Sequence, residues 1–372
     1  IRQAEIVASK KIRSGTFRWV QAAAEDGLTA KKNILDLDNI QILPKQLCSV
    51  NKPKILTTIF KQKIFSPLLL SPMGHQTQFH KKGEIETAKG VNKAKTASFF
   101  ATQGRMSLDD IRKNNKDSKI SWTIFPFGSE KWIMKEVENA EKNNCFSIAL
   151  CIDANIRSHR YLDRESKSYD ARKFGIRTNP VSPSPDFAVK YDWKLISKIK
   201  KKTRKPLVIK GILTTEDAQK AINCGADAIW ISNHGGRMLN SGISGVSALM
   251  EIKKNIKSKD IKIIVDGGVR RGSDIIKYLC LGADYVGIGR PAMYGLICNG
   301  FLGVEKIFSI LNQELYTAMI NGGFKDLKSF NLNRVRFEKK KIKKKLKVIC
   351  IIPARGGSKG IKLKNLKPIC GK

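Results

Sequence analysis

The 372-residue sequence lacks the cysteine spacings that mark disulfide-rich and zinc-binding proteins. It has eight cysteines, but no CxxC pair and no other metal-ligand spacing. Several lie inside apolar runs, as Cys151 does in SIALCID, where a cysteine behaves as a small hydrophobic residue. This pattern argues against a disulfide framework or a metal site, and it predicts a reduced, cytoplasmic protein.

Long apolar segments are also missing. No uninterrupted apolar run approaches the ~18 residues that a membrane-spanning helix needs. The first residues, IRQAEIVASKKIRSG, lack the apolar core of a secretory signal. We therefore expect no membrane span and no secretory signal in this sequence.

Acidic residues are scarce relative to basic ones. The chain has 70 Lys and Arg against 32 Asp and Glu, a net charge of +38. Residues 334–372 alone contain fifteen basic residues and one acid, Glu338. Such a charge attracts nucleic acid or an anionic surface, or it reflects a preference for lysine on solvated faces. Because aromatic residues are not interleaved with the basic runs, we favour the second interpretation and expect no nucleic-acid partner.

Eight short apolar runs alternate with charged segments whose apolar residues recur at helical spacing. The runs are PLLLSP (67–72), ASFFAT (97–102), WTIFPF (122–127), SIALCID (147–153), LVIKG (207–211), AIWIS (228–232), KIIVDG (262–267) and YVGIG (285–289). Buried strands separated by amphipathic helices predict parallel βα units. Eight units fit a closed (β/α)8 TIM barrel of the α/β class better than an open sheet, since no GxGxxG loop follows the first strand.

The remaining segments predict the domain organisation. Residues 1–66 form a partly helical N-terminal extension that covers one barrel mouth, and residues 67–332 form the barrel. A Ser/Pro/Asp-containing segment, 163–191, predicts a lid-like loop at the catalytic mouth. Residues 333–346 form a basic linker, and 347–372 form a separate segment.

Unusual polar residues cluster at the ends of the predicted strands, where a TIM barrel carries its reactive groups. They are Asp153, Lys210, Asn233, His234, Asp266, Gly267, Gly268, Gly289 and Arg290. Because the ends of parallel strands meet at one face, the sequence predicts a single site there.

His234 suits a general base, because the unperturbed pKa of histidine lies near neutrality. Asp153 could orient its ring, and Arg237 could pair with a substrate carboxylate. The alternative is a polar residue in a glycine-rich loop. Lys210, if buried, needs an anionic partner; the N1–C2=O region of a flavin is one candidate, and a structural salt bridge is the other.

The turns after the last two strands favour a phosphate site. The glycines of VDGGVRRGSD and VGIGRPAMYG let backbone N–H groups approach an anion, and Arg270 and Arg290 can bind phosphate oxygens. Barrels often bind phosphate in these two loops. The alternative is a pair of tight turns with surface arginines.

Four motifs together resemble the FMN-dependent α-hydroxy-acid oxidase/dehydrogenase family: SNHGGR (232–237), LVIKGILTTEDA (207–218), IIVDGGVRRGSDIIKYLCLGADYVGIGRP (263–291) and SIALCIDANIRSHR (147–160). The similarity extends from about Phe17 to about Asn331. It implies an FMN enzyme that oxidises a small-molecule 2-hydroxy acid to a 2-oxo acid, with electrons passing to flavin N5, and that forms a homo-oligomer. It leaves open whether oxygen, a quinone or a cytochrome reoxidises the flavin.

The resemblance also implies residue roles. His234 is similar to the family's active-site base and Asp153 to its partner, while Arg237 and Arg160 resemble the pair that grips the substrate carboxylate. Lys210 resembles the lysine that stabilises reduced FMN. The other positions that match FMN-binding motifs are Pro72, Met73, Gly74, Cys151, Ser232, Asp266, Gly267, Gly268, Arg270, Gly289 and Arg290.

Four positions depart from the family pattern. Trp19 and Phe125 stand where the family has two substrate-binding tyrosines, and a phenyl ring cannot reach a substrate hydroxyl by hydrogen bonding. Thr123 replaces a flavin-binding glutamine, and Ala101 replaces a serine or threonine. We expect FMN binding to be kept and the substrate to be a different or bulkier 2-hydroxy acid.

The C-terminal segment KVICIIPARGGSKGIKLKNLKPICGK resembles the opening of an acylneuraminate (CMP-sugar-acid) cytidylyltransferase. The matching residues, implied to bind nucleotide phosphates, are Arg355, Gly357, Ser358, Lys359, Lys364 and Asn365. A truncated nucleotidyltransferase segment indicates part of a fused, two-enzyme polypeptide or a fusion artefact. This segment leaves open a bifunctional protein whose main activity is cytidylyltransfer. The replaced tyrosine positions and the charge of +38 leave open a basic flavin-binding or nucleic-acid-binding protein that has lost catalysis.

Overall fold

The computed structural model describes residues 1–156, 158–164, 191–258 and 260–338. The chain separates into two compact units, Ile1–Phe337 and Glu338–Lys372. Most of the predicted lid-like loop, most of the predicted linker and the whole C-terminal segment lie outside the described residues.

The first part of the chain contains both helices and strands. In order, these are α1 (Arg2–Lys11), α2 (Ser14–Gln21), α3 (Leu28–Asp38), β1 (Ile40–Ile42), β2 (Thr57–Ile59) and β3 (Gln62–Ile64). Strands β2 and β3 form an antiparallel hairpin. Ile59 and Ile64 are buried among residues such as Phe99 and Trp230, and the Tyr285 hydroxyl donates to the Thr58 carbonyl at 2.6 Å. The hairpin therefore packs into the interior of the barrel near the N-terminal ends of its strands.

The predicted closed barrel is confirmed. Its strands are β4 (Leu68–Met73), β5 (Ala97–Ala101), β6 (Lys119–Ile124), β7 (Ile148–Cys151), β8 (Leu207–Ile212), β9 (Ala228–Ile231), β10 (Lys262–Asp266) and β11 (Tyr285–Ile288). They pair in parallel and in chain order, and β11 closes the barrel on β4 with Val286 opposite Leu68. Strand β6 lies three residues before the predicted 122–127, and it ends ahead of Pro126, which has no N–H to continue the ladder.

Helices surround the barrel. They are α4 (Gly83–Lys93), α5 (Leu108–Asn114), α6 (Glu130–Lys142), α7 (Tyr161–Arg164), α8 (Trp193–Lys202), α9 (Thr215–Asn223), α10 (Gly245–Asn255), α11 (Gly272–Cys280) and α12 (Arg290–Gly322). Hydroxyl and carboxyl side chains cap many of their N-termini; Ser107 accepts from the Asp110 backbone, and Thr214 accepts from the Asp217 backbone. These caps fix where the loops after the strands end.

Helix α12 is bent at Asn299–Gly300, where Gly300 has a positive φ of 51°. By length and composition it is the one helix in the described ranges that could cross a membrane, and half of its most apolar window is buried inside the protein. Its apolar residues include Met293, Tyr294 and Phe308, which belong to the protein core. Packing against the barrel accounts for its composition.

The chain beyond α12 returns to the N-terminal part. Strand β12 (Val335–Phe337) pairs antiparallel with β1, so these residues of the predicted linker belong to the first unit. The Arg334 guanidinium lies 3.9 Å from the Phe324 ring centroid and donates to the Leu43 carbonyl. This contact ties the end of the unit to its beginning.

Helix α3 lies against the C-terminal ends of the strands. Its Asn33 exchanges two 2.8 Å hydrogen bonds with the Asn233 amide and accepts from the Gly245 backbone N–H. Gly268 has a φ of +81°, and a side chain there would collide with the Asn33 carbonyl. The N-terminal extension thus touches the barrel at both ends: helix α3 at the C-terminal ends of the strands and the β2–β3 hairpin at their N-terminal ends.

Candidate active site

One pocket lies at the C-terminal ends of the barrel strands and gathers most of the predicted site residues. These are Trp19, Pro72, Met73, Gly74, Phe125, Arg160, Lys210, His234, Arg237, Asp266, Gly267, Gly268, Arg270, Gly289 and Arg290. Asp153, Cys151 and Ser232 contact the lining residues His234 and Lys210 from outside the lining, Ala101 packs with Phe125, and Thr123 pairs with Ala101 in the barrel. The predicted nucleotide-binding residues Arg355, Gly357, Ser358 and Lys359 lie outside the described residues.

His234 is held in a tight turn after β9. Its φ of +56° lies in the left-handed region, and its backbone N–H donates to the Ser232 hydroxyl at 3.1 Å. Asn233 caps the same turn by accepting from the Gly236 backbone. Nδ1 of the ring lies 3.0 Å from Oδ1 of Asp153, and the side chain is 21% exposed. The contact with Asp153 engages Nδ1, so Nε2 is the ring nitrogen outside this pair.

The charges around this pair set its protonation. Burial alone raises the pKa of Asp153, but Lys210 and His234 outweigh it and hold the pKa well below its ordinary value. Burial lowers the pKa of His234, and Asp153 offsets only part of that shift. The imidazole is therefore neutral at neutral pH and able to accept a proton.

Lys210 forms the centre of a buried polar network. Its Nζ donates to the Ser232 hydroxyl at 2.8 Å and lies 3.9 Å and 4.0 Å from carboxylate oxygens of Asp153 and Asp266. Burial lowers the pKa of Lys210, but the two carboxylates more than compensate and raise it above its ordinary value. The ion pairs confirm the structural salt bridge, and Lys210 also lines the pocket, so its contact with a flavin stays a prediction.

Two arginines lie beside the histidine. The Arg237 guanidinium donates to the carbonyls of Trp19 at 2.9 Å and Ala22 at 2.7 Å, and it stacks on the Trp19 indole at 4.7 Å. Arg160 Nε donates to the Ser158 hydroxyl at 3.1 Å and to the Arg237 carbonyl at 3.3 Å. Both arginines line the pocket and bring positive charge to it.

Aromatic rings form another wall of the pocket. The Phe125 ring lies 5.9 Å from the His234 ring, with Phe127 5.8 Å behind it. The Trp19 ring lies edge-on to His75 at 5.5 Å. This wall is apolar next to the histidine, as the replaced tyrosine positions predicted.

The sequence reasoning missed several pocket residues. His75, Gln103 and Ser71 line it, and the Ser71 hydroxyl donates to Asp266 at 3.2 Å. His75 follows Pro72–Gly74 at the end of a predicted strand, so its position after the strand was the available signal, whereas Ser71 lies inside that strand. Gln103 carried the same signal, because it lies two residues beyond Ala101 just as His75 lies two residues beyond Met73.

The far end of the pocket tests whether FMN fits. Gly267 and Gly268 have φ values of +102° and +81°, which favour glycine and bring the backbone against the cavity. Arg290 is half-buried in the same pocket, where it donates to the carbonyls of Val20 and Gly235, and burial together with nearby Arg270 and Arg160 lowers its pKa to about 10. Glycine backbone and two arginines suit a phosphate, and Lys210 suits an electron-rich ring, so these residues fit FMN.

Comparison with known proteins gives a consistent result. A family described as FMN-dependent dehydrogenase matches residues 8–337, and one described as cytidylyltransferase matches residues 349–372. The chain is 32% identical to an L-lactate oxidase of Lentilactobacillus hilgardii over 90% of this chain and 94% of the relative. It is 30% identical to a peroxisomal (S)-2-hydroxyacid oxidase of Arabidopsis thaliana, covering 88% and 93%.

Solved structures show the same fold. A mandelate oxidase superposes with a TM-score of 0.84 at 26% identity, covering 90% of this chain and 97% of that one. A Pediococcus acidilactici protein described as a putative lactate oxidase gives a TM-score of 0.83 at 31% identity, covering 91% and 94%.

Proposed function

The chain belongs to the family of FMN-dependent dehydrogenases, and we propose that it oxidises a 2-hydroxy acid to the corresponding 2-oxo acid. The observation that carries this proposal is the 3.0 Å contact of His234 with Asp153 beside two pocket arginines. Relatives named L-lactate oxidase and 2-hydroxyacid oxidase support the substrate class. FMN, when bound, supplies the two-electron acceptor that this oxidation needs.

Different pocket side chains bind the substrate and accept its proton. Arg237 and Arg160 hold the substrate carboxylate by charge-assisted hydrogen bonds. His234 accepts at Nε2 the proton that the substrate loses, since its Nδ1 is engaged by Asp153. The negative charge of Asp153 then stabilises the imidazolium. Gly267, Gly268, Arg270 and Arg290 would hold the phosphate of FMN, and Lys210 would offset negative charge on its ring.

The aromatic wall narrows the proposed substrate. Phe125 and Trp19 offer apolar surface next to the reacting groups, and no hydroxyl is present on either ring. A 2-hydroxy acid with an apolar side chain buries that side chain against them, whereas glycolate leaves the wall uncovered. The names of the relatives also favour dioxygen as the second acceptor, which makes hydrogen peroxide the expected by-product.

Anaerobic mixing with a panel of 2-hydroxy acids tests the proposal. The purified protein should be yellow and lose its flavin absorbance with an apolar substrate such as mandelate or 2-hydroxyisocaproate, more readily than with glycolate or sugar acids. Admitting oxygen should then yield peroxide. A colourless protein that cannot be reconstituted with FMN would refute the function.

A variant pair tests the role of the histidine. His234→Ala should keep FMN but lose reduction by substrate by at least about 10²-fold, the usual contribution of a general base. His80→Ala is the matched control, because His80 does not line the pocket and its Nδ1 accepts only from the Lys82 backbone. Normal reduction of the His234 variant would remove the base assignment.

A further inference from the structure

Three potential metal ligands converge behind the pocket wall. Oδ1 of Asp153 lies 3.0 Å from both Sγ of Cys151 and Nδ1 of His234, and the sulfur and nitrogen are 3.9 Å apart. Over the described ranges, this is the one group of three His, Cys, Asp or Glu residues whose ligand atoms lie so close together.

We propose that Cys151, Asp153 and His234 form a Zn²⁺ site, and that its occupation blocks the proton transfer at His234. A thiolate, a carboxylate and an imidazole are the ligand types that zinc prefers. A triangle with these three sides has a point about 2 Å from each corner, close to the zinc–ligand lengths of about 2.0–2.3 Å. That point is coplanar with the three atoms, so tetrahedral coordination requires the sulfur and the imidazole each to move away from Oδ1 by roughly half an ångström and slightly towards each other.

The charges also suit a divalent ion. The Cys151 thiol donates to Oδ1 of Asp153 at 3.0 Å, so it carries a proton in the metal-free protein. On binding zinc, the thiol releases its proton to bulk water and becomes the second anionic ligand. Two anionic ligands neutralise the dication. Lys210 remains paired with Asp266, whose carboxylate oxygen lies 4.0 Å from the lysine Nζ. The site therefore does not bury a net positive charge.

The position of the metal explains the effect on proton transfer. With zinc on Nδ1, a neutral imidazole carries its single proton on Nε2, the atom that must accept the substrate proton. The histidine is then held in the wrong tautomer for a base. This effect on turnover rests on the proposed function of His234, whereas the binding of zinc does not.

The proposed zinc site depends on the Cys151 thiol. Asp153 and His234 offer two ligands on their own, and the thiol adds the third. Removing a direct ligand should raise the half-inhibiting concentration of free zinc by at least about tenfold, since even changes to residues that only support ligands cost that much in affinity. Cys151→Ala and Cys151→Ser, which retains a hydrogen-bonding group, should behave alike.

The test uses the FMN-loaded enzyme in buffers of defined free Zn²⁺. Each variant is compared with its own activity in chelator, and Cys48→Ala serves as the control because Cys48 is a partly exposed thiol far along the chain from the site. Wild type and Cys48→Ala should each bind one zinc per chain, and both should lose activity over the same range of free zinc concentration. X-ray absorption at the zinc edge should show one sulfur at about 2.3 Å.

Two results would overturn the site: equal zinc sensitivity in wild type and both Cys151 variants, or a zinc shell without sulfur. The spectrum and the stoichiometry need no turnover. A protein that binds zinc through sulfur but oxidises no 2-hydroxy acid would therefore contradict the proposed function and leave the metal site standing.

Discussion

At the scale of single residues, His234 depends on one carboxylate oxygen for its orientation. Asp153→Asn keeps an oxygen for Nδ1–H but removes the negative charge that partly offsets the effect of burial on His234. The pKa of His234 should fall further below its ordinary value. Because the neutral imidazole is the base, and it forms as pH rises through that pKa, the acidic limb of the pH–rate profile should move to lower pH.

The same change should also slow the reaction. Without the Asp153 charge the imidazolium is less stable, and the maximal rate of anaerobic flavin reduction should drop by about 10²-fold or more. Stopped-flow measurement between pH 5 and 9 gives both quantities. Asp117→Asn, at an exposed position, should match wild type. An unchanged maximal rate in Asp153→Asn would show that the carboxylate does not support the base.

Replacing Lys210 should lower the stability of the folded protein. Lys210→Met leaves the carboxylates of Asp153 and Asp266 buried without their shared cation. We expect the free energy of unfolding, measured in urea, to fall by about 3–5 kcal/mol, as when one partner of a buried ion pair is removed.

A surface ion pair supplies the control for Lys210. Lys198 lies 2.9 Å from Glu130, and both side chains are about half exposed. Lys198→Met should cost at most about 1 kcal/mol, because solvent screens the pair and ordering two long side chains offsets much of the attraction. Equal losses in the two variants would contradict the structural role of the Lys210 network.

At the scale of secondary structure elements, the barrel was predictable and its N-terminal supports were not. Each barrel strand is an apolar run followed by an amphipathic helix, so periodicity alone revealed the eight units. Lys210 and His234 were predicted to lie at one face because all parallel strands of a barrel end at the same side. By contrast, β2 and β3 are three residues each, too short for a period, and Asn33 acts through a contact 200 positions away in sequence.

The unpredicted β2–β3 hairpin should contribute strongly to stability. Ile59 is fully buried in the barrel interior against residues that include Phe99 and Trp230. Ile59→Ala should lower the free energy of unfolding by about 2–5 kcal/mol, through lost burial and the cavity left behind. Chemical denaturation of the purified protein measures this.

The neighbouring hairpin residue provides a comparison. Thr58 points to solvent, and its contact with Tyr285 uses only its backbone carbonyl. Thr58→Ala should therefore change stability by no more than about 0.5 kcal/mol. If Ile59→Ala is equally mild, the hairpin is an appendage and does not fill the barrel end.

At the scale of the whole molecule, the charge is unevenly distributed along the chain. Of the 70 basic residues, fifteen lie in residues 334–372, most of which belong to the second unit. The family match ends at residue 337, and the cytidylyltransferase match starts at residue 349. Both boundaries agree with strand β12 as the end of the flavoenzyme unit.

Two truncations test this boundary. A chain ending at Glu338 should keep its FMN, its activity and its unfolding free energy, because every described element is retained. A chain ending at Asn333 loses strand β12 and Arg334, whose buried guanidinium donates to the carbonyls of Leu43 and Gly322. It should be less stable by at least about 2 kcal/mol, since hydrogen bonds to a charged group are worth about 1.5–3 kcal/mol each. Urea unfolding and flavin content are measured on both chains. Loss of FMN in the chain ending at Glu338 would show that residues beyond Glu338 belong to the flavoenzyme fold. Equal stability of the two chains would show that β12 and Arg334 do not contribute to it.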